Sequence, residues 1–266
     1  MVCVRSITVL LLAALGAHAQ AGAPVRVPFT CAEDDLQFAG MDCTEGRPCA
    51  VYLELNAVAA LGNKMLAAGN LHSGSSTIAS VLLVSDDAGV TWKEPAARLR
   101  GSSIEQVQFP DPMHVYAAGE LQYPLSADPF FLLSTDGGVF FRQRPVSDEG
   151  GPGTIQSFSF DSAQHGELVV DEGKSAPGGR YVSYETRTGG ETWMTRSKVA
   201  QLPRGRNAAP ESDIRVQTGK DGRAWQIERR SGTQWTPVAS FLVEAASCPL
   251  PQPEPAQPEP AQPEPK

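Results

Sequence analysis

The chain has 266 residues, a formal net charge of −8, 41% hydrophobic and 20% charged residues. That supplies apolar material for one sizeable core and excludes a wholly disordered chain, a coiled coil and a polytopic membrane protein. The acidic balance excludes a protein that works by gripping nucleic-acid phosphates.

Arg5 is the single charge ahead of an apolar run over residues 7–15, and Ala17-His18-Ala19 is an A-x-A cleavage site. The pattern predicts a secretory signal over residues 1–19, too short to span a bilayer, and an exported protein, periplasmic or extracellular. Residues 20–49 form a lead-in carrying Cys31, Cys43 and Cys49, and Cys248 lies at the far end. Four cysteines in an exported chain predict disulfides, with three pairings open. The favoured arrangement has one bridge inside the N-terminal cluster and one from it to Cys248. The spacing lacks C-x-x-C pairs, and His72, His114 and His165 are scattered, so no metal is expected. No cofactor motif is present either. Residues 249–266 alternate Pro, Gln, Glu and Ala and read as an extended, disordered tail.

Between these ends runs a repeat. Ser85-Asp86-Asp87-Ala88-Gly89-Val90-Thr91-Trp92 has look-alikes at Ser134-Thr135-Asp136-Gly137-Gly138-Val139-Phe140-Phe141 and at Thr186-Arg187-Thr188-Gly189-Gly190-Glu191-Thr192-Trp193. A faint fourth copy ends at Gly232 and Trp235. The closing aromatics stand at 92, 141, 193 and 235, intervals of 49, 52 and 42 residues. Each copy follows short apolar stretches, in the first unit 56–61, 64–69 and 78–84, with Gly62-Asn63 as a hairpin turn. The second unit has 104–109, 114–119 and 130–133, the third 155–160, 167–170 and 181–184, and the fourth 213–217, 224–227 and 234–238. No amphipathic helix is expected. This predicts an all-β chain of antiparallel units over residues 50–248, each the size of a propeller blade. Ser and Asp side chains cap backbone N–H groups in such a turn, and the Gly supplies a positive φ.

The motif resembles the Asp-box, or BNR, repeat of sialidase-like β-propellers. It is complete at Ser85, Asp87, Gly89, Thr91 and Trp92. At Ser134, Asp136 and Gly138 it ends in Phe140-Phe141, and at Thr186, Gly190, Thr192 and Trp193 it carries Thr188 in place of the Asp. Ala67-Ala68-Gly69 and Ala117-Ala118-Gly119 also look like the Ycf48-like branch. The resemblance implies a propeller whose boxes hold turns and do no chemistry. Sialidases use six blades and Ycf48-like factors seven. Four are counted here, with a fifth, degenerate one conceivable at 200–213 or before Asn56. The chain is then a small closed ring or an open arc that pairs with another copy.

The family's enzyme activity does not travel with the fold. The nearest string to a sialidase arginine motif is Val25-Arg26-Val27-Pro28, and Tyr181, Tyr184 and Glu185 are the sole Tyr–Glu neighbours. Asp34/Asp35, Asp148/Glu149 and Asp171/Glu172 are adjacent acids of the kind that sits solvated on loops. There is no G-x-S-x-G, H-E-x-x-H or P-loop. The motifs lean away from an enzyme and assign no catalytic residue. The favoured function is an exported non-catalytic module for a protein or glycan partner, without nucleic acid or a membrane span after cleavage. Loops 71–77, 122–128 and 172–179 would do the binding. A degenerate or active sialidase-type glycoside hydrolase is the alternative, and a structural component of an envelope or secreted assembly is the second.

Overall fold

The computed structural model describes residues 22–44, 46–74, 76–122, 128–146, 152–202, 212–219, 224–243 and 247–248. The segment expected to be a signal, residues 1–19, the Pro/Glu-rich residues 249–266, Asp148/Glu149 and most of the 122–128 stretch lie outside the described residues. In chain order the elements are β1 (Val25–Val27), α1 (Glu33–Ala39), β2 (Cys49–Ala50), β3 (Tyr52–Leu61), β4 (Lys64–Ser73), β5 (Ser76–Ser85), β6 (Ser102–Gln108), β7 (Val115–Leu121) and β8 (Asp128–Ser134). They continue with β9 (Arg142–Pro145), β10 (Thr154–Phe160), β11 (Gly166–Asp171), β12 (Tyr181–Thr186), β13 (Met194–Val199), β14 (Ile214–Thr218), β15 (Trp225–Ser231), β16 (Gln234–Val243) and β17 (Ser247–Cys248).

The strands form four blade-like sheets, β3-β4-β5, β6-β7-β8-β9, β10-β11-β12-β13 and β1-β16-β15-β14, plus the two-stranded β17-β2. The first sheet has no regular fourth strand. Lys93 and Arg100 bridge to Val84 and Ala79, and Pro95, which lacks an N–H, lies between them. In space the fourth sheet packs on the first, the first on the second and the second on the third. Three apolar cores fill these joins. Phe241 and Ile227 meet Met65, Ala67, Leu71 and Val81 in one. Leu66, Leu82 and Val84 meet Ile104, Val115 and Leu132 in the next. Tyr116, Phe131 and Leu133 meet Ile155, Phe160 and Leu168 in the last, where Tyr116 and Phe160 stack at 3.8 Å. No apolar core joins the third sheet to the fourth among the described residues.

The Ala-Ala-Gly strings have a steric cause. In the first strand of each of the first three sheets one residue is extra: Asn56, Glu105 and Gln156 bulge out of register. The bulge brings the strand's backbone over its neighbour. A Cβ on Gly69 would lie 1.9 Å from Glu54 O, and one on Gly119 would lie 2.1 Å from Ser103 O. Glycine is therefore required there.

The three repeat turns close the lower rim. Ser85 Oγ accepts the Gly89 N–H at 2.9 Å and donates to Asp87 Oδ1 at 2.8 Å, while Asp87 accepts the Thr91 N–H at 2.8 Å and hydroxyl at 2.6 Å. Trp92 folds back and donates Nε1–H to Gly89 O at 3.0 Å. Ser134 and Asp136 repeat this around Gly138, with Asp136 accepting from the N–H groups of Val139 and Phe140. In the third turn Thr186 replaces Ser, and Thr188 takes the Asp's place, accepting the Thr192 N–H at 3.0 Å. Each turn is pinned to the first hairpin of its own sheet, through Ala88 N–Asn63 O, Gly137 N–Met113 O and Gly189 N–Gln164 O. Each turn glycine also approaches the preceding sheet, at Val238, Val84 and Leu133 respectively.

The fourth copy differs. Ser231 and Gln234 pair across a two-residue hairpin turn, Trp235 pairs with Arg230 inside the ladder, and a Cβ on Gly232 would meet nothing within 4 Å. This correction follows from composition: no Ser or Asp stands at the two capping positions, so a plain ribbon forms. Residues 71–77 are not a long loop, because β4 and β5 pair from Met65–Ser85 up to Ser73–Ser76. Val25–Val27 pairs in parallel with Phe241–Val243, so the arginine-motif look-alike is an edge strand, with Arg26 exposed.

Two disulfides secure the ends, Cys43–Cys49 and Cys31–Cys248. Between Cys31 and Cys43 lies α1, a helix the sequence reading did not expect. Asp35 at its third position accepts the Ala32 N–H at 2.9 Å, and Gly40 ends it with φ +60°. Arg100 binds Asp34 and Asp35 and fastens the helix to the first sheet.

Candidate binding site

The first strands of adjacent sheets are laced by side chains. Asn56 Nδ2 donates toward Ile104 O (3.3 Å), Glu105 Oε1 (3.0 Å) and Asn70 Oδ1 (3.3 Å). Gln106 donates to Ile155 O and accepts from Phe158 N–H, and Gln108 does the same with both backbone groups of Phe160. These bonds hold the three bulges along one recess. Its polar side chains are Asn56, Glu105 and Gln156, with Glu54 and Glu120 near Glu105. Gln122 Nε2 donates to Glu120 Oε1 at 2.6 Å. Glu105 is solvent-accessible yet surrounded by protein. Desolvation first, then repulsion from Glu120 and Glu54, raises its carboxyl pKa against the Ser103 hydroxyl bond.

The connections β4–β5, β7–β8 and β11–β12 leave from the rim opposite the repeat turns. The β11–β12 connection, within 172–179, is clamped at its base by Arg180 on Asp171 and by Lys198 on Glu172. The Arg180 bond lowers the Asp171 pKa. The lower rim exposes large apolar side chains instead: Val90, Met113, Val139 and Phe140.

No described group forms a hydrolytic constellation. Tyr184 and Glu185 are neighbours in β12 and point to opposite faces. Tyr184 packs on the core between the second and third sheets, whereas Glu185, almost fully buried, faces away and meets Arg187 Nε and Arg196 Nε at 2.8 Å each. Its pKa is lowered, chiefly by the Arg187 bond. Four basic residues follow the third turn; Arg196 and Lys198 are paired with Glu185 and Glu172, and Arg204 and Arg206 lie outside the described residues. Asp87 is held down to about 2 by the Thr91 hydroxyl, the Thr91 N–H and the Ser85 hydroxyl, and the Phe140 N–H lowers Asp136. Both are fully engaged in their turns. Among the described residues no group of His, Cys, Asp and Glu side chains is arranged for a metal ion. A cleft of about 340 Å³ opens at the outer edge between the first two sheets, lined by Leu82, Pro95, Leu99, Leu132 and Phe141. Its one charged residue, Arg98, is tied to Glu94 and to Pro28 O.

No protein-family model and no curated protein matches the chain. Solved structures do. A structure of Ycf48 bound to D1 peptide is 19% identical over 74% of this chain and 56% of its own, with TM-score 0.42. Ycf48 from Cyanidioschyzon merolae is 14% identical over 76% of this chain and 51% of its own, with TM-score 0.35. The sialidase of Trypanosoma rangeli is 11% identical over 65% of this chain and 28% of its own, with TM-score 0.35. The chain spans about half the length of the two Ycf48 structures.

Proposed function

We propose that this is an exported, non-catalytic binding module that engages a protein or glycan partner at the rim opposite the repeat turns. The reading rests mainly on the axial recess, where Glu105 stands accessible but desolvated beside Glu54 and Glu120, with no counter-cation among the described residues. A carboxylate in that state gains when a partner brings a cationic or hydrogen-bond-donating group. Ser85, Asp87, Gly89, Thr91, Trp92 and their counterparts are Asp-box turns in this reading, spent on holding hairpins. The disulfides and the signal-like N-terminus support export. The hydrolase alternative lacks support, because Tyr184 and Glu185 diverge and Glu185 is spent on two arginines. The test is binding to immobilised partner fractions and glycans by the intact chain and by its Glu105→Lys variant, alongside turnover of aryl glycosides. The reading expects binding that Glu105→Lys weakens at least tenfold and no turnover. Turnover above blank would overturn it.

A further inference from the structure

The second, third and fourth sheets each have a regular outer strand, β9, β13 and β1. In the first sheet that place is held by residues 93–100, which meet β5 only at the bridges Val84–Lys93 and Ala79–Arg100. Val84 and Lys93 exchange both main-chain bonds, at 2.8 and 3.0 Å. At the other bridge the Ser80 N–H donates to Leu99 O at 2.9 Å and the Gly101 N–H to Ile78 O at 2.8 Å. Ser80 and Val84 thus both turn their N–H groups toward the outer segment. β4 and β5 pair evenly from Met65–Ser85 to Leu71–Ala79, so alternation turns the N–H and C=O of Leu82 outward as well. Neither group has a partner among the described residues. Continued from Val84–Lys93, the register would set Leu82 opposite Pro95, which has no N–H to return. More chain lies between Lys93 and Leu99 than between Ser80 and Val84, and the surplus leaves the sheet.

The departure opens the cleft of about 340 Å³ between the first two sheets, whose wall includes Leu82, Pro95, Leu99, Ile104, Leu132 and Phe141. Leu82 is only 5% exposed, and buried backbone groups are rarely left without a hydrogen bond. The wall is otherwise apolar, and its one charge is neutralised. Arg98 Nε and Nη2 donate to Glu94 at 2.9 and 2.6 Å, and Nη2 donates to Pro28 O at 2.7 Å. A neutral occupant therefore suits the cleft better than an ion. What answers Leu82 is an acceptor and a donor set as a residue of a facing antiparallel strand sets them, a C=O and an N–H on the two sides of one Cα. The volume holds one residue with its two flanking amide groups, and residues 94–98 close the outer side to a longer strand.

We propose that this cleft is a binding site for a small neutral molecule built on one apolar amino-acid residue with an acylated nitrogen. The Leu82 N–H donates to the ligand's residue C=O, and the ligand's N–H donates to Leu82 O. The apolar side chain lies among Leu99, Ile104, Leu132 and Phe141. The two main-chain bonds fix orientation, and the apolar wall selects the side chain. The cleft is at the outer edge, separate from the axial recess, and does not depend on the reading given for that site.

The test uses the intact chain and N-acetyl-leucine methylamide, followed by NMR titration of the backbone amides. The Leu82 amide proton should move downfield saturably, with a Kd of about 1 mM or tighter for so small a ligand. The analogue with an ester oxygen in place of the leucine N–H loses one main-chain bond, and N-acetylglycine methylamide loses the apolar side chain. Each should bind at least tenfold more weakly. Ala96 packs on the same core, so Ala96→Phe puts a ring into the cleft and should weaken binding at least tenfold, whereas Ala96→Ser leaves the space open and should bind like the parent. Two results on the unmodified chain overturn the proposal even if Ala96→Phe fails to fold. One is a titration carried well above that concentration that leaves the Leu82 amide unmoved. The other is equal binding of the three compounds, which means apolar partitioning without the main-chain pair.

Discussion

Breaking the Cys31–Cys248 bridge should cost far more stability than breaking Cys43–Cys49. The first joins residues 217 apart and the second residues 6 apart. Chain entropy assigns about 5 kcal/mol to a loop of the longer kind and about 2 kcal/mol to the shorter. The native side of the balance points the same way. The long bridge holds the lead-in where β1 pairs with β16 and where β2 meets β17, and each of those ladders is short. Domains of this kind carry about 5–15 kcal/mol in total, so the longer bridge accounts for a large share. The assay is urea unfolding of Cys31→Ser/Cys248→Ser and Cys43→Ser/Cys49→Ser against the oxidised parent. With a slope of about 3 kcal/mol per molar urea, the midpoints should fall by about 1.7 M and about 0.7 M respectively. Equal losses, or a larger loss for the short bridge, would refute the reasoning.

Four further outcomes follow from the turns and the recess. Ala88 is the one non-glycine among the described residues with positive φ, +59°, where the second and third turns carry Gly137 and Gly189, so Ala88→Gly should stabilise the chain by about 1 kcal/mol in denaturant titration. Ser134→Ala strips the acceptor from the buried Gly138 N–H and should cost about 1–2 kcal/mol by the same assay. Gly119→Ala forces a Cβ against Ser103 O and should cost more than about 3 kcal/mol or abolish folding, read by circular dichroism. The pH dependence has two signs. Asp87 and Asp136 have lowered folded-state pKa values, so their stabilisation is present above the ordinary carboxylate range and is lost as pH falls through their folded values, about 2 for Asp87. Glu105 is raised, so its ionisation costs stability as pH climbs through its folded value. Glu105→Gln should therefore raise the melting temperature at pH 7 and leave it nearly unchanged at pH 3.

The sequence showed the sheets where local chemistry decides local structure. The repeat turns are spelled by Ser, Asp and Gly at fixed spacing, and the short apolar stretches alternate as strands do. Third-turn Thr186 and Thr188 were legible as weaker copies because a hydroxyl accepts the same N–H bonds. What was not legible depends on three dimensions. Asn56, Glu105 and Gln156 look like ordinary strand residues, and only the register against β4, β7 and β11 shows them bulging into a recess. The requirement at Gly69 and Gly119 comes from backbone in another strand. The fourth unit reads as a faint copy with three stretches at the right spacing, and nothing local shows that its fourth strand is β1, from the other end of the chain. Helix α1 has local signals, acids at Glu33, Asp34 and Asp35 in its first turn and Gly40 at its end, but its 7 residues are too few to show an apolar period.

The proposed function puts partner binding at the rim opposite the repeat turns. The competing surface is the lower rim, where Val90, Val139 and Phe140 are exposed. The direct test is quantitative capture of partners by the intact chain and two variants, Glu105→Lys/Gln156→Lys in the recess and Val90→Asp/Phe140→Asp on the lower rim. The account predicts at least tenfold weaker capture by the recess variant and unchanged capture by the other. Capture that survives the recess substitutions and fails with the lower-rim ones would contradict it.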